Sequence, residues 1–114
     1  MDLTYSDKFK DYIETKFDIV YPQTIYKFPN GYGASVIKFN HIYFGIGIEI
    51  AVLRFNEDGN WHIDYCTPIT NDVIRGLNEE SRDLVLQEIF DLEKQEGNNN
   101  GTNFIFRKWK NVKF

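Results

Sequence analysis

The run Ile46-Gly47-Ile48-Glu49-Ile50-Ala51-Val52-Leu53-Arg54-Phe55 decides how the rest of the chain is read. A strand with one wet face alternates apolar and polar residues, whereas this run is apolar at both alternating sets of positions. It therefore predicts a central strand covered on both sides. On its N-terminal side, Thr24–Phe28 and Ala34–Phe39 are short, β-prone segments separated by Pro29-Asn30-Gly31, where Asn and Gly can supply positive φ. They predict a hairpin with its tip at Pro29–Gly33. On the C-terminal side, Asp58-Gly59 closes the next hairpin. Trp61, Ile63 and Tyr65 then alternate with His62, Asp64 and Cys66, predicting a fourth strand that buries the Trp61 face and ends at Thr67-Pro68.

Helical patterns flank this sheet. Ser6 is placed as an N-cap, with Phe9, Tyr12, Ile13 and Phe17 following at helical spacing, so residues 6–16 predict an amphipathic helix. Thr70 can cap a short helical turn through Asn71, Asp72, Val73 and Ile74, broken at Gly76. Asn78 caps a longer helix to about Gln95, with Glu79, Glu80 and Asp83 at its positive dipole end. Leu84, Val85, Ile89 and Leu92, with Leu86 and Phe90 beside them, supply its expected buried side. Gly97–Gly101 predicts a flexible polar loop, and Phe104–Trp109 reads either as a fifth strand or as a tail that orders on a partner. The expectation is an α+β fold over residues 1–114 as one domain: an antiparallel sheet of about four to five strands, packed with an N-terminal helix and a helix near residues 79–95.

Composition agrees with a packed core. Of 114 residues, 42% are hydrophobic and 17% aromatic, with ten Phe, seven Tyr and two Trp against one Met. The single Cys66 cannot form an internal disulfide, and residues 1–10 lack the apolar run of a signal peptide, so a cytoplasmic setting is expected. The run Ile42–Leu53 is interrupted by Glu49 and two glycines and falls short of the roughly 20 residues of a membrane span. Net charge is −4, distributed as a balanced start, an acidic middle and a basic end.

Few constellations suggest chemistry. A strand would place His62, Asp64 and Cys66 on one face, but about 3.3 Å per residue separates the outer two by roughly 13 Å, too far for a thiol–imidazole pair. His41, His62 and Cys66 match no zinc spacing. Gly31-Tyr32-Gly33 and Gly45-Ile46-Gly47 lack the further glycine, lysine and following helix of phosphate loops. These patterns predict no catalytic residue, metal or cofactor, and a chain that is not an enzyme.

The segments FPNGYGASVI (Phe28–Ile37), AVL (Ala51–Leu53) and YCTPITNDVIRGL (Tyr65–Leu77) resemble a family of small proteins in phages and prophages of Gram-positive bacteria. That family's third segment looks like Y-D-T-P-I-T-D-D-V-I-x-x-L, and the match covers about the middle half of the chain. The resemblance brings no activity with it; it implies a phage gene product acting in the host bacterial cytoplasm. Cys66 and Asn71 stand where the family has Asp, which favours a structural turn over a catalytic acid at both positions.

The resulting expectation is a binding module that blocks a host protein, such as a defence nuclease, by steric or electrostatic occupancy. Its candidate contacts are Asn30 and Tyr32 at the hairpin tip and Glu79, Glu80, Asp83 and Asp91 on the acidic helix, which could mimic nucleic acid. The alternative is direct nucleic-acid binding by Arg107, Lys108, Trp109 and Lys110, whose cations and ring suit phosphates and stacked bases. Pairing of an exposed C-terminal strand with its twin would make a homodimer, so monomer and dimer both fit.

Overall fold

The computed structural model describes residues 2–18, 20–43 and 45–94. Six antiparallel strands form one sheet: β1 (Ile13–Asp18), β2 (Pro22–Lys27), β3 (Tyr32–His41), β4 (Gly45–Phe55), β5 (Trp61–Ile63) and β6 (Ile74–Leu77). The order is β1-β2-β3-β4-β5, and β6 pairs with β4. Residues 53–55 of β4 face β5, while Ile48 and Ile50 face Leu77 and Ile74 of β6, so the two short strands share one edge. The sheet curls as a half-barrel, and α1 (Glu79–Phe90) follows β6. The fold is mostly β, within the broad α+β class.

β4 is the central strand that its composition predicts, with Ile50–Leu53 buried without a break. One face contributes Ile48, Ile50 and Val52, which meet Tyr26, Ala34 and Val36 of the neighbouring strands and Leu86 and Ile89 of α1. The other contributes Leu53 and Phe55, packed with Ile25 and Trp61. Both predicted hairpins form through three-residue loops. Phe28 N–H donates to the Tyr32 carbonyl and Asn56 N–H to that of Asn60, each loop ending in a glycine at positive φ, 89° at Gly31 and 88° at Gly59. This is a type I turn closed by a left-handed residue, which glycine adopts without steric cost.

Four expected elements differ. Residues 6–16 are not a helix: a 3-10 turn at Lys10–Tyr12 leads into β1. Phe9 and Tyr12 are held on the core by rings of Phe28 and Phe90 at 5.3–5.9 Å, and the chain then extends to pair with β2. Ser6 caps nothing; its N–H donates to the Tyr26 hydroxyl and its hydroxyl to Asp83. The turn at Thr70 is present, with Asp72 N–H donating to Thr70 Oγ1, but Ile74–Leu77 pairs with β4 instead of continuing as helix. The fourth strand stops at Ile63, because Asp64 folds back to accept the Cys66 N–H at 2.8 Å. Trp61 is half-buried on Phe55, while Ile63 and Tyr65 are exposed at the sheet edge. Helix α1 starts as expected, with a capping box between Asn78 and Ser81, and ends at Phe90 rather than near Gln95. The expected loop at 97–101 and the segment 104–109 lie outside the described residues.

Residues 2–9 form a strap across the core, fastened mainly at Tyr26. That side chain is fully buried; its hydroxyl donates to the Thr4 carbonyl at 2.6 Å and accepts from Ser6 N–H at 2.8 Å. Thr4 and Thr24 share a hydroxyl–hydroxyl bond at 2.7 Å, and Arg82 Nη1 donates to the Leu3 carbonyl at 2.8 Å.

Burial pushes the phenols of Tyr26 and Tyr32 up to about 12 from the ordinary 10.0. The folded chain thus keeps two protons that the unfolded chain releases first. The contribution of these two groups is complete below pH 10 and is lost as pH rises to about 12, by up to about 1.4 kcal/mol per pH unit for each tyrosine. Urea unfolding at neutral pH should show Tyr26→Phe less stable by roughly 1–3 kcal/mol, because Ser6 N–H and the Thr4 carbonyl lose their partner. The same variant should lose stability less steeply between pH 10 and 12 than the parent.

Candidate functional site

The residues singled out at the hairpin tip point inward. Asn30 is 8% exposed and Tyr32 3%, so neither is on the surface a partner would meet first. Asn30 Nδ2 lies 2.8 Å, 3.1 Å and 3.0 Å from the carbonyls of Ile89, Phe90 and Leu92, while its Oδ1 accepts Tyr32 N–H at 2.9 Å. One side-chain amide therefore serves carbonyls at and just past the end of α1, that of Ile89 shared with Leu92 N–H, and also fixes the hairpin turn. Tyr32 belongs to the core shared by the sheet and the helix.

The helix acids divide. Asp83 is half-buried and already engaged, accepting from Ser6 Oγ at 2.7 Å and Arg82 Nε at 3.0 Å. Glu79, Glu80 and Asp91 are exposed, as is Glu88. Asp91 accepts from Gln87 Nε2 at 3.0 Å on the same face. At 100° per residue, Glu80, Leu84, Gln87, Glu88 and Asp91 form one stripe, opposite Arg82, Leu86 and Ile89, which are buried.

Leu84, expected in the core, is 62% exposed at the centre of that stripe, and Arg82, a charged residue, takes a core position at 4% exposure. The strap explains the exchange: Arg82 reaches the Leu3 carbonyl and Asp83, so its charge is hydrogen-bonded where it is buried. Sequence reasoning misses Arg82 as a core residue because the carbonyl that receives its guanidinium belongs to Leu3, 79 positions away in the strap.

Electrostatics sharpen the pattern. Glu79 and Glu80 favour the positive end of the helix dipole, which is reason enough for their presence. Glu88 and Asp91 sit at the negative end, where cations are favoured, and the last turn carries no basic residue. The stripe thus keeps acid where helix stability asks for base, around an exposed leucine.

Elsewhere, His62 and Cys66 are exposed and Asp64 is buried in its turn. Among the described residues, no group of three or more His, Cys, Asp or Glu side chains is placed to hold a metal ion. No described helix is long and apolar enough to cross a membrane. Arg107, Lys108, Trp109 and Lys110 lie outside the described residues. Comparison with protein-family models, curated proteins and solved structures finds no match to any of them.

Asn30→Ala should cost about 2 kcal/mol in denaturant unfolding, since buried helix carbonyls and the Tyr32 N–H lose their partner. Glu80→Gln, on the exposed stripe, should change stability by less than about 0.5 kcal/mol in the same measurement.

Proposed function

We propose that this chain is a phage-type protein of the bacterial cytoplasm that works by occupying a basic surface on a host protein, with the outer face of α1 as its contact. The observation that carries this reading is the acidic stripe continuing through Glu88 and Asp91 to the helix end that disfavours it, around the exposed Leu84. A purely solvated face would gain stability from lysine or arginine there. A partner surface rich in Lys and Arg, with an apolar recess for Leu84, would complement the stripe in charge and shape. Such surfaces belong to proteins that themselves grip nucleic acid, and a defence nuclease is one such partner. The chain acts by exclusion, without chemistry of its own.

A variant carrying Glu88→Lys and Asp91→Lys separates stability from binding. It should gain about 0.3–1 kcal/mol per substitution in urea unfolding. In affinity capture from lysate of a susceptible host, the parent should retain one stoichiometric partner, released as salt is raised, and the variant should retain none. Equal capture by parent and variant, or no capture by the parent, defeats the proposal. Saturable binding of the full chain to single-stranded DNA at low salt, unchanged in the same variant, would instead favour the basic C-terminal segment.

A further inference from the structure

A second surface lies at the other end of the helix, on the sheet. β2 accompanies β3 only as far as Ile37, and β6 reaches β4 only at Ile48. Beyond those points, among the described residues, β3 and β4 continue as a two-stranded ribbon, with Phe39 opposite Gly47 and Asn40 opposite Ile46. A groove of about 650 Å³ opens beside it, and its lining includes Phe39, Gly45, Gly47, Glu49, Arg75 and Gly76. That volume falls in the range of sites that enclose a small ligand or a few side chains.

Three of the nine residues that line the groove are glycines. A Cβ built on Gly47 would meet no atom closer than the Gly76 Cα at 3.7 Å, and one built on Gly45 or Gly76 would meet nothing within 4 Å. Positive φ accounts for Gly45 and Gly76. Gly47 has no such need, and glycine inside a strand weakens it. Glycine at an unstrained, uncrowded strand position leaves room for an occupant to approach the backbone closely. A flat ring laid over Gly47 and Gly76 would have the Phe39 ring beside it, the offset or edge geometry that aromatic pairs prefer.

Charge selects the neighbours of that ring. Arg75 is shared by Glu49 at 3.4 Å and Asp72 at 3.5 Å, leaving the trio net negative. Glu79 follows directly on Asn78, which lines the groove. Lys38, paired with Ile48, belongs to the opposite face of the sheet.

We propose that this groove is a docking site for an aromatic side chain flanked by lysine or arginine, presented by an extended segment of a partner protein. The site is separate from the outer stripe of α1, and it stands or falls independently of the partner read there.

The probe is the synthetic peptide acetyl-Lys-Trp-Lys-amide, titrated into the 15N-labelled full chain at low salt. Saturable amide shifts should centre on Gly45, Gly47 and Gly76. Acetyl-Lys-Ala-Lys-amide and acetyl-Glu-Trp-Glu-amide should each bind about tenfold more weakly or worse. Gly47→Val fills the groove at a position with room for a Cβ and favours the strand, so it should keep the parent spectrum elsewhere and weaken the Trp peptide by about tenfold. If that variant fails to fold, Glu49→Gln with Asp72→Asn tests the charge arm and should weaken the Lys peptides alone. No saturable shift at millimolar Trp peptide, equal binding of the Ala or Glu peptide, or shifts away from the glycines overturns the proposal. So does undiminished binding in the folded Gly47→Val chain.

Discussion

The Tyr26 hydroxyl makes the connection on which the helix-bearing side of the molecule depends. It lies fully buried on β2, so its two hydrogen bonds to residues 4 and 6 must both form for the ring to be buried without penalty. Holding the strap there places the Leu3 carbonyl against Arg82 and the Ser6 hydroxyl against Asp83. Those two contacts, together with Leu86 and Ile89 packed in the core, fix the rotation of α1 about its own axis. With Arg82 facing inward, the helical period turns Leu84 and Glu88 outward. One buried phenol thus reaches, through the strap, to the face that the helix offers to solvent.

How much of this was legible follows from where each residue finds its partners. β4 could be read because burial on both faces leaves a local mark, a run apolar at every parity. The two hairpin loops and the Asn78 cap could be read because their bonds close within four residues. The N-terminal segment misled because Phe9, Tyr12 and Ile13 have helical spacing, yet a single 3-10 turn entering a strand also directs them to the core. Its real determinants, Tyr26 and Asp83, lie 20 and 77 positions from Ser6. Asn30 was legible as a turn residue but not as a helix clamp, since its acceptors are 59 to 62 positions away. Leu84 was assigned to the core by hydropathy alone, and only the seating of Arg82 shows why it is outside.

The helix illustrates two constraints acting on one surface. Its inner side is fixed by packing with Ile48, Ile50 and Val52, and its first turn by the capping box. Its outer side is free of both, so composition there reports on other pressures. The placement of acids along that side follows the dipole in the first turn and opposes it in the last. Natural proteins tolerate small losses of this kind where a surface has a use.

The Asn30 amide joins two parts of the chain that would otherwise open separately. A fluctuation that lifts the end of α1 from the sheet breaks the Asn30 Nδ2 bonds and so removes the helix anchor of the side chain whose Oδ1 holds the Tyr32 N–H. Hairpin tip and helix terminus are therefore coupled through one amide. In amide hydrogen exchange, Tyr32 reports the undocking of a helix some sixty residues downstream.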